Sequence, residues 1–175
     1  MNLREAVEAN HRAAEQTALA KSMIDGTMDM ALYHQFLFNM REIYSAIEKR
    51  LEFLPADVKR VSRYTDDLND LNRGAGTPLQ STQEYSRYLS SIDVPSLWAH
   101  VYVHYLGNMY GGQMLKKKFT WKCSHLEFND VKSCITYVRN NIEGVDPAEA
   151  NRAFEWTIRI YDELHRDFRR NSAAA

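Results

Sequence analysis

Two pairs of side chains in this 175-residue sequence have the types and spacing of groups that act together. His11 and Glu15 stand one helical turn apart. A carboxylate placed there can accept from the imidazole Nδ1–H, which leaves Nε2 for a metal. A lone histidine on an apolar helix face is also an ordinary core residue, and the spacing leaves both readings open. His100 and His104 repeat the interval and could chelate a metal. The run His100-Val101-Tyr102-Val103-His104 lacks the glutamate that zinc hydrolases carry between two such histidines, so zinc hydrolysis has no support. Glu8-Ala9-Asn10-His11 matches the Glu-x-x-His pattern of di-iron bundles. That reading needs a helix upstream and a second copy downstream, and the nearest candidate, Asp162-Glu163-Leu164-His165, begins with aspartate. Neither a Gly-x-Ser-x-Gly elbow nor a phosphate-binding loop is present.

The most unusual composition is local. Tyr105-Leu106-Gly107-Asn108-Met109-Tyr110-Gly111-Gly112-Gln113 places three of the seven glycines within six residues, between strong helix formers. Each interior glycine costs a helix about 0.5–1 kcal/mol relative to alanine, so the trio costs about 2–3 kcal/mol. Close approach of another helix or of a flat ligand would offset this, and glycine clusters also permit a kink. Spacing alone does not choose between these.

The elements that must position these residues read as helices throughout. Leu3, Val7, His11, Ala14 and Ala18 share one face of a helix over residues 3–22. Asp25-Gly26 ends it and Thr27 can cap the next. Residues 28–53 form a long helix with Leu32, Phe36, Met40, Ile43, Ile47 and Leu51 as its stripe. Pro55 opens a short helix ending near Leu71, residues 72–80 are a loop, and Ser81–Ile92 is helical. Pro95 starts the glycine-bearing helix, which runs to about Phe119, and residues 128–143 and 147–169 complete the set, with Pro147 in the last helix's first turn. No strand alternation is present. The expected architecture is an all-α, single-domain bundle over residues 1–175, with 171–175 a disordered tail.

Composition bounds the function classes. Hydrophobic content of 45% and charged content of 26% are those of an ordinary soluble domain. A net charge of −1 argues against nucleic acid as a partner. No apolar stretch is long enough to span a membrane, and the N-terminus lacks a signal-peptide pattern. Cys123 and Cys134 have no metal-type spacing, and reduced thiols in a cytoplasmic protein are expected. Charge is locally uneven: Lys116, Lys117, Lys118 and Lys122 follow the glycines, and Arg166, Arg169 and Arg170 crowd the C-terminal end. Such runs are solvated faces, or a docking surface for an acidic protein.

The run Ala99-His100-Val101-Tyr102-Val103-His104-Tyr105-Leu106-Gly107-Asn108-Met109-Tyr110-Gly111-Gly112-Gln113-Met114-Leu115-Lys116-Lys117 resembles the distal-helix signature of haem oxygenases. Leu3 to Glu15 is similar to that family's proximal helix. Tyr44 followed by Glu48, and the stretch from Phe154 through Tyr161 to Leu164, also match, so the resemblance covers nearly the whole chain in order.

The resemblance implies that haem b, both cofactor and substrate, lies between the first helix and the kinked glycine helix. It implies opening of the ring to biliverdin, most commonly the IX-alpha isomer, with release of Fe²⁺ and CO. His11 would ligate the iron, with Glu15 or a water on its far nitrogen. Gly107 and Gly111 would present bare backbone to the distal face and direct oxygen towards one meso carbon, with Gly112 beside them among the haem-binding residues. Arg4 matches a basic family position for a propionate, while Glu8 stands where the family has a second basic residue. Arg139, with Lys132 behind it, is the candidate cation further along the chain, and Tyr102 would sit at the pocket edge. Phe154 and Tyr161 would form the back wall, or serve as ordinary core.

The departure from the family is Asn108, where many members carry an aspartate that anchors water for proton delivery. An amide has one acceptor oxygen and two N–H donors to place, so it can still hold a water but with altered polarity. His104, where the family often has arginine, could compensate. Ring opening is expected to persist. The alternative is a haem-binding or peroxidase-like relative that leaves the ring intact because of Asn108. The chain ends without a hydrophobic anchor, and resembles the soluble bacterial, cyanobacterial and phage-borne members. A monomeric cytoplasmic enzyme fed by ferredoxin or another acidic reductase is therefore expected, with the Lys116–Lys118 and Lys122 cluster as the docking surface.

Overall fold

The computed structural model describes residues 2–174, and every regular element among them is helical. The first helix, α1, spans Leu3–Glu15 and opens on a reciprocal cap. Asn2 Oδ1 accepts from Glu5 N–H at 2.9 Å, and the Glu5 carboxylate accepts from Asn2 N–H at 3.2 Å. The single helix expected over residues 3–22 is two helices. Thr17 adopts an extended conformation and its hydroxyl accepts from Ala20 N–H, starting α2 at Ala18–Ile24. A good N-cap in mid-stripe overrides the continuous apolar period.

Helix α3, Met30–Glu48, is capped by Asp29 rather than Thr27 and is buried on nearly all sides. Tyr33, Leu37 and Tyr44 are enclosed along with the expected stripe, so α3 is the axis of the main core. The helix expected to open at Pro55 instead starts at Val61, as α4 (Val61–Leu71). No nearby side chain caps it; the Glu48 carboxylate, from the end of α3, accepts from the N–H groups of Arg60 and Val61. Arg60 itself is fully buried, and its guanidinium donates to five backbone carbonyls, those of Asp57, Val58, Lys59, His125 and Glu127, while lying over the Phe128 ring.

Helices α5 (Gln80–Ser91) and α6 (Val94–Met109) follow, the latter started by Asp93 and Pro95. The glycine helix breaks at Tyr110 and resumes as α7 (Gly111–Leu115), ending short of the expected Phe119. A 3-10 turn at Ser124–Leu126 precedes α8 (Val131–Asn141), capped by Asp130. The last helix, α9, runs Pro147–Ala174, so the tail expected to be disordered from 171 is helical as far as Ala174. Ala175 lies outside the described residues.

The arrangement that matters for the site is how three helices meet. Helices α1 and α6 each lie along α9, and neither lies closely along the other. Val7 and Ala14 of α1, Ala99 and Val103 of α6, and Ala150, Ala153 and Phe154 of α9 form a second, small-residue core apart from the main one. Short side chains thus fill the junction where α1 and α6 converge on α9, and the residues of α1 and α6 that flank it are taken as the walls of a candidate cleft floored by α9.

Candidate functional site

One wall of the cleft is α1. Its register on α9 is set by a polar staple: Asn10 Nδ2 donates to Asn151 Oδ1 at 2.9 Å, and Asn151 Nδ2 donates to Ala6 O at 3.1 Å. This turns His11 towards Phe154, whose ring it meets edge-on with centroids 5.7 Å apart and planes at 83°. Phe154 is buried, while the His11 side chain is 51% exposed. Stripe position without burial is what distinguishes His11 from a core histidine. Glu15 lies 3.6 Å from Nε2, not from Nδ1 as expected, and is itself half exposed, so the pair is a loose one. Glu8 is taken up by Arg12 at 2.7 Å, which holds its carboxyl below the usual carboxylate range. Arg4 makes no ion pair among the described residues.

The other wall is the kink. Tyr110 leaves the helical region with φ −104° and ψ −81°. The Gln113 amide bridges the break, donating to Asn108 O at 3.1 Å and Leu126 O at 2.7 Å. The three glycines separate into two kinds. A Cβ built at Gly107 or Gly111 would meet nothing within 4 Å, whereas one at Gly112 would lie 2.7 Å from Leu126 Cδ2. Gly107 and Gly111 thus bare the backbone to open space. Gly112, expected among the haem-binding residues, is buried against the 3-10 turn, a close packing that holds the kink.

Asn108 sits between the two open glycines, half-buried, with Nδ2 2.8 Å from Tyr44 Oη. Tyr44 Oη in turn donates to His104 O at 2.9 Å. His104 therefore joins this network through its carbonyl. Its ring, expected to tune the water site, is committed elsewhere. His104 Nε2 is 2.8 Å from Tyr85 Oη, which is 2.6 Å from His100 Nδ1, and His100 Nε2 is 2.8 Å from Glu149 Oε1. Glu149 can only accept while ionised, so His100 donates to it from Nε2, Tyr85 donates to His100 Nδ1, and His104 donates to Tyr85. Burial pushes the His104 pKa down to about 3, helped by His100, and burial also lowers that of His100 against the pull of Glu149. Both rings are neutral, and three of their four nitrogens are taken up inside this buried chain, which removes the metal-chelate reading of this pair.

At the cleft mouth stands Tyr102. Burial raises its pKa, while Arg4 from α1 and Arg139 from α8 act in the opposite direction. Glu8 acts on the same hydroxyl in the direction of burial, so Tyr102 feels charges of both signs. The Arg139 guanidinium also lies over the Tyr110 ring, 5.5 Å from its centroid, which ties α8 to the kink. Lys132 is exposed at the opposite end of α8. Tyr161, expected on the back wall with Phe154, meets the edge of Phe36 at 6.1 Å and belongs to the main core.

A family model described as Heme oxygenase matches residues 1–163. The chain belongs to the heme oxygenase family. Among its relatives, the heme oxygenase of Rhodella violacea is 28% identical, covering 96% of this chain and 87% of that protein. The heme oxygenase of Porphyra purpurea is 26% identical, over 93% and 85% of the two chains. The fold matches heme oxygenase-1 of the cyanobacterium Synechocystis, in complex with heme, with a TM-score of 0.83 at 20% identity, covering 98% of this chain and 94% of that one. The heme oxygenase of Leptospira interrogans matches with a TM-score of 0.81 at 25% identity, over 92% and 97%. The residues present fit haem: an unburied imidazole on one wall, bare backbone on the other, an aromatic floor and two cations at the edge. Sequence reasoning missed the asparagine staple and the commitment of His104 to Tyr85, because both depend on contacts with helices far along the chain. No helix among the described residues is long and apolar enough to cross a membrane.

Proposed function

We infer that this chain binds haem in the α1–α6 cleft and opens the ring to biliverdin, releasing Fe²⁺ and CO. The observation that carries this reading is the pair Gly107 and Gly111, whose missing Cβ atoms face open space at the kink of α6, in a chain whose α1 carries a half-exposed His11. A kinked helix that bares its backbone and packs nothing on it needs a flat ligand to offset its glycines. Bound haem supplies the iron chemistry that activates O₂. The chain's residues do the rest. His11 offers an imidazole nitrogen, Arg4 and Arg139 take the propionate carboxylates, and Tyr102 closes the edge. Asn108 offers an amide to order water beside Gly107. Gly112 supports the kink from behind.

The electrons come from an acidic donor such as ferredoxin. Met114 is 74% exposed and Tyr110 is also exposed, and Lys116, Lys117, Lys118 and Lys122 follow them closely in the chain, which supports an apolar and basic docking surface there. The protein acts as a soluble cytoplasmic monomer. Hemin added to the purified protein gives a one-to-one complex, and reduced ferredoxin in air converts it to a bilin. His11→Ala abolishes the histidine-ligated spectrum. A complex that cycles its iron without bilin formation would sink the ring-opening reading and favour the haem-binding relative suggested by Asn108.

A further inference from the structure

We propose that Tyr44 is a positioning residue that sets the Asn108 amide with its oxygen towards the haem site, so that the amide takes over the accepting role of a carboxylate. This rests on the proposed haem site. The argument is one of proton counting. His104 O is a backbone carbonyl and can only accept, so the single hydroxyl proton of Tyr44, 2.9 Å away, is spent on it. Tyr44 is 1% exposed and its ring is held by Tyr64 at 5.0 Å and Tyr105 at 4.8 Å; the Tyr64 hydroxyl, its other polar neighbour, lies farther off than His104 O and carries a proton of its own to donate. The Asn108 atom 2.8 Å from Tyr44 Oη must then be a donor, Nδ2.

The consequence falls on the other amide atom. Nothing among the described residues donates to Asn108 Oδ1. Nor is it one of the buried atoms left without a partner, which are Ser81 Oγ and Thr82 Oγ1. It is an open acceptor next to Gly107. A flipped amide would set Oδ1 against the lone pairs of Tyr44, or force Tyr44 to abandon His104 O, and loses a hydrogen bond either way. His104 and Asn108 are one turn apart on α6, and Tyr44 spans that turn from α3. An amide whose polarity is imposed by the core therefore offers water the same lone pair that an aspartate would.

The test reads the amide directly in ¹⁵N-labelled protein without hemin, the Asn108 side-chain signals being those lost in Asn108→Asp. In the wild type, an Asn108 Nδ2 proton shows a cross-peak to the Tyr44 ring and exchanges slowly. Tyr44→Phe raises that exchange rate at least tenfold. With hemin and reduced ferredoxin, the same variant lowers the kcat of bilin formation several-fold and leaves hemin affinity unchanged. An Nδ2 pair remote from Tyr44 in the wild type, or exchange rates equal in both proteins, overturns the proposal. Should Tyr44→Phe fail to fold, the wild-type cross-peak alone decides. Absence of bilin from the wild type counts against the proposed function and leaves the amide measurement standing.

Discussion

Gly107 and Gly112 lie five residues apart and look alike in the chain, yet their surroundings predict opposite responses to the same substitution. Gly107 is helical with open space at its Cβ position, so Gly107→Ala removes a helix penalty and stabilises the haem-free protein by about 0.5–1 kcal/mol. The added methyl projects into the cleft, and hemin affinity falls. Gly112→Ala drives a methyl to 2.7 Å from Leu126 and destabilises the fold by about 1–3 kcal/mol. Urea unfolding without hemin, followed by hemin titration, separates the two. A stabilised Gly112→Ala would remove the packing account of that glycine.

At the scale of elements, the position of His11 depends on how α1 is held. The helix presents few large apolar side chains to α9, so the hydrogen bonds from Asn151 to Ala6 O and from Asn10 to Asn151 carry much of its register. Asn151→Ala removes both, while the Ala6 carbonyl keeps its helical partner Asn10 N–H, and the two lost hydrogen bonds cost about 0.5–1.5 kcal/mol each. The expected signature is weakened hemin binding with His11 still the ligand, read as a faster loss of hemin to an acceptor protein and an unchanged spectrum. A variant that retains hemin as the wild type does would show that apolar packing alone seats α1. The loose His11–Glu15 pair, in contrast, adds little to this anchoring, since both side chains are half exposed.

For the whole molecule, the buried chain from His104 through Tyr85 and His100 to Glu149 joins α5, α6 and α9 and makes stability depend on pH. Both histidines have pKa values below their unfolded value of about 6.5, that of His104 about 3. The unfolded chain therefore takes up protons first as pH falls. Stability is fully present above about pH 6.5 and falls below it, by about 1.4 kcal/mol per pH unit for each histidine, until the folded pKa is reached. Thermal unfolding between pH 7 and 4 should show this slope, and His104→Gln should flatten it. A slope unchanged in His104→Gln would mean that other groups, such as the buried His125 beside Asp67, dominate acid sensitivity.

Much of this molecule was legible along the chain, because the relevant physics is local there. Helical periods and the unusual density of glycine between Gly107 and Gly112 are properties of neighbouring residues, and the run around those glycines carried the resemblance to the family. What could not be read was which partner each group would meet. The capping of α4 by Glu48, the separation of Gly112 from Gly107 and Gly111, and the loss of His104 to Tyr85 all arise between helices remote in sequence. The polarity of Asn108 belongs to the same class. An asparagine in sequence is a donor and an acceptor at once; the one proton on Tyr44, already given to His104 O, decides which of the two faces the cleft.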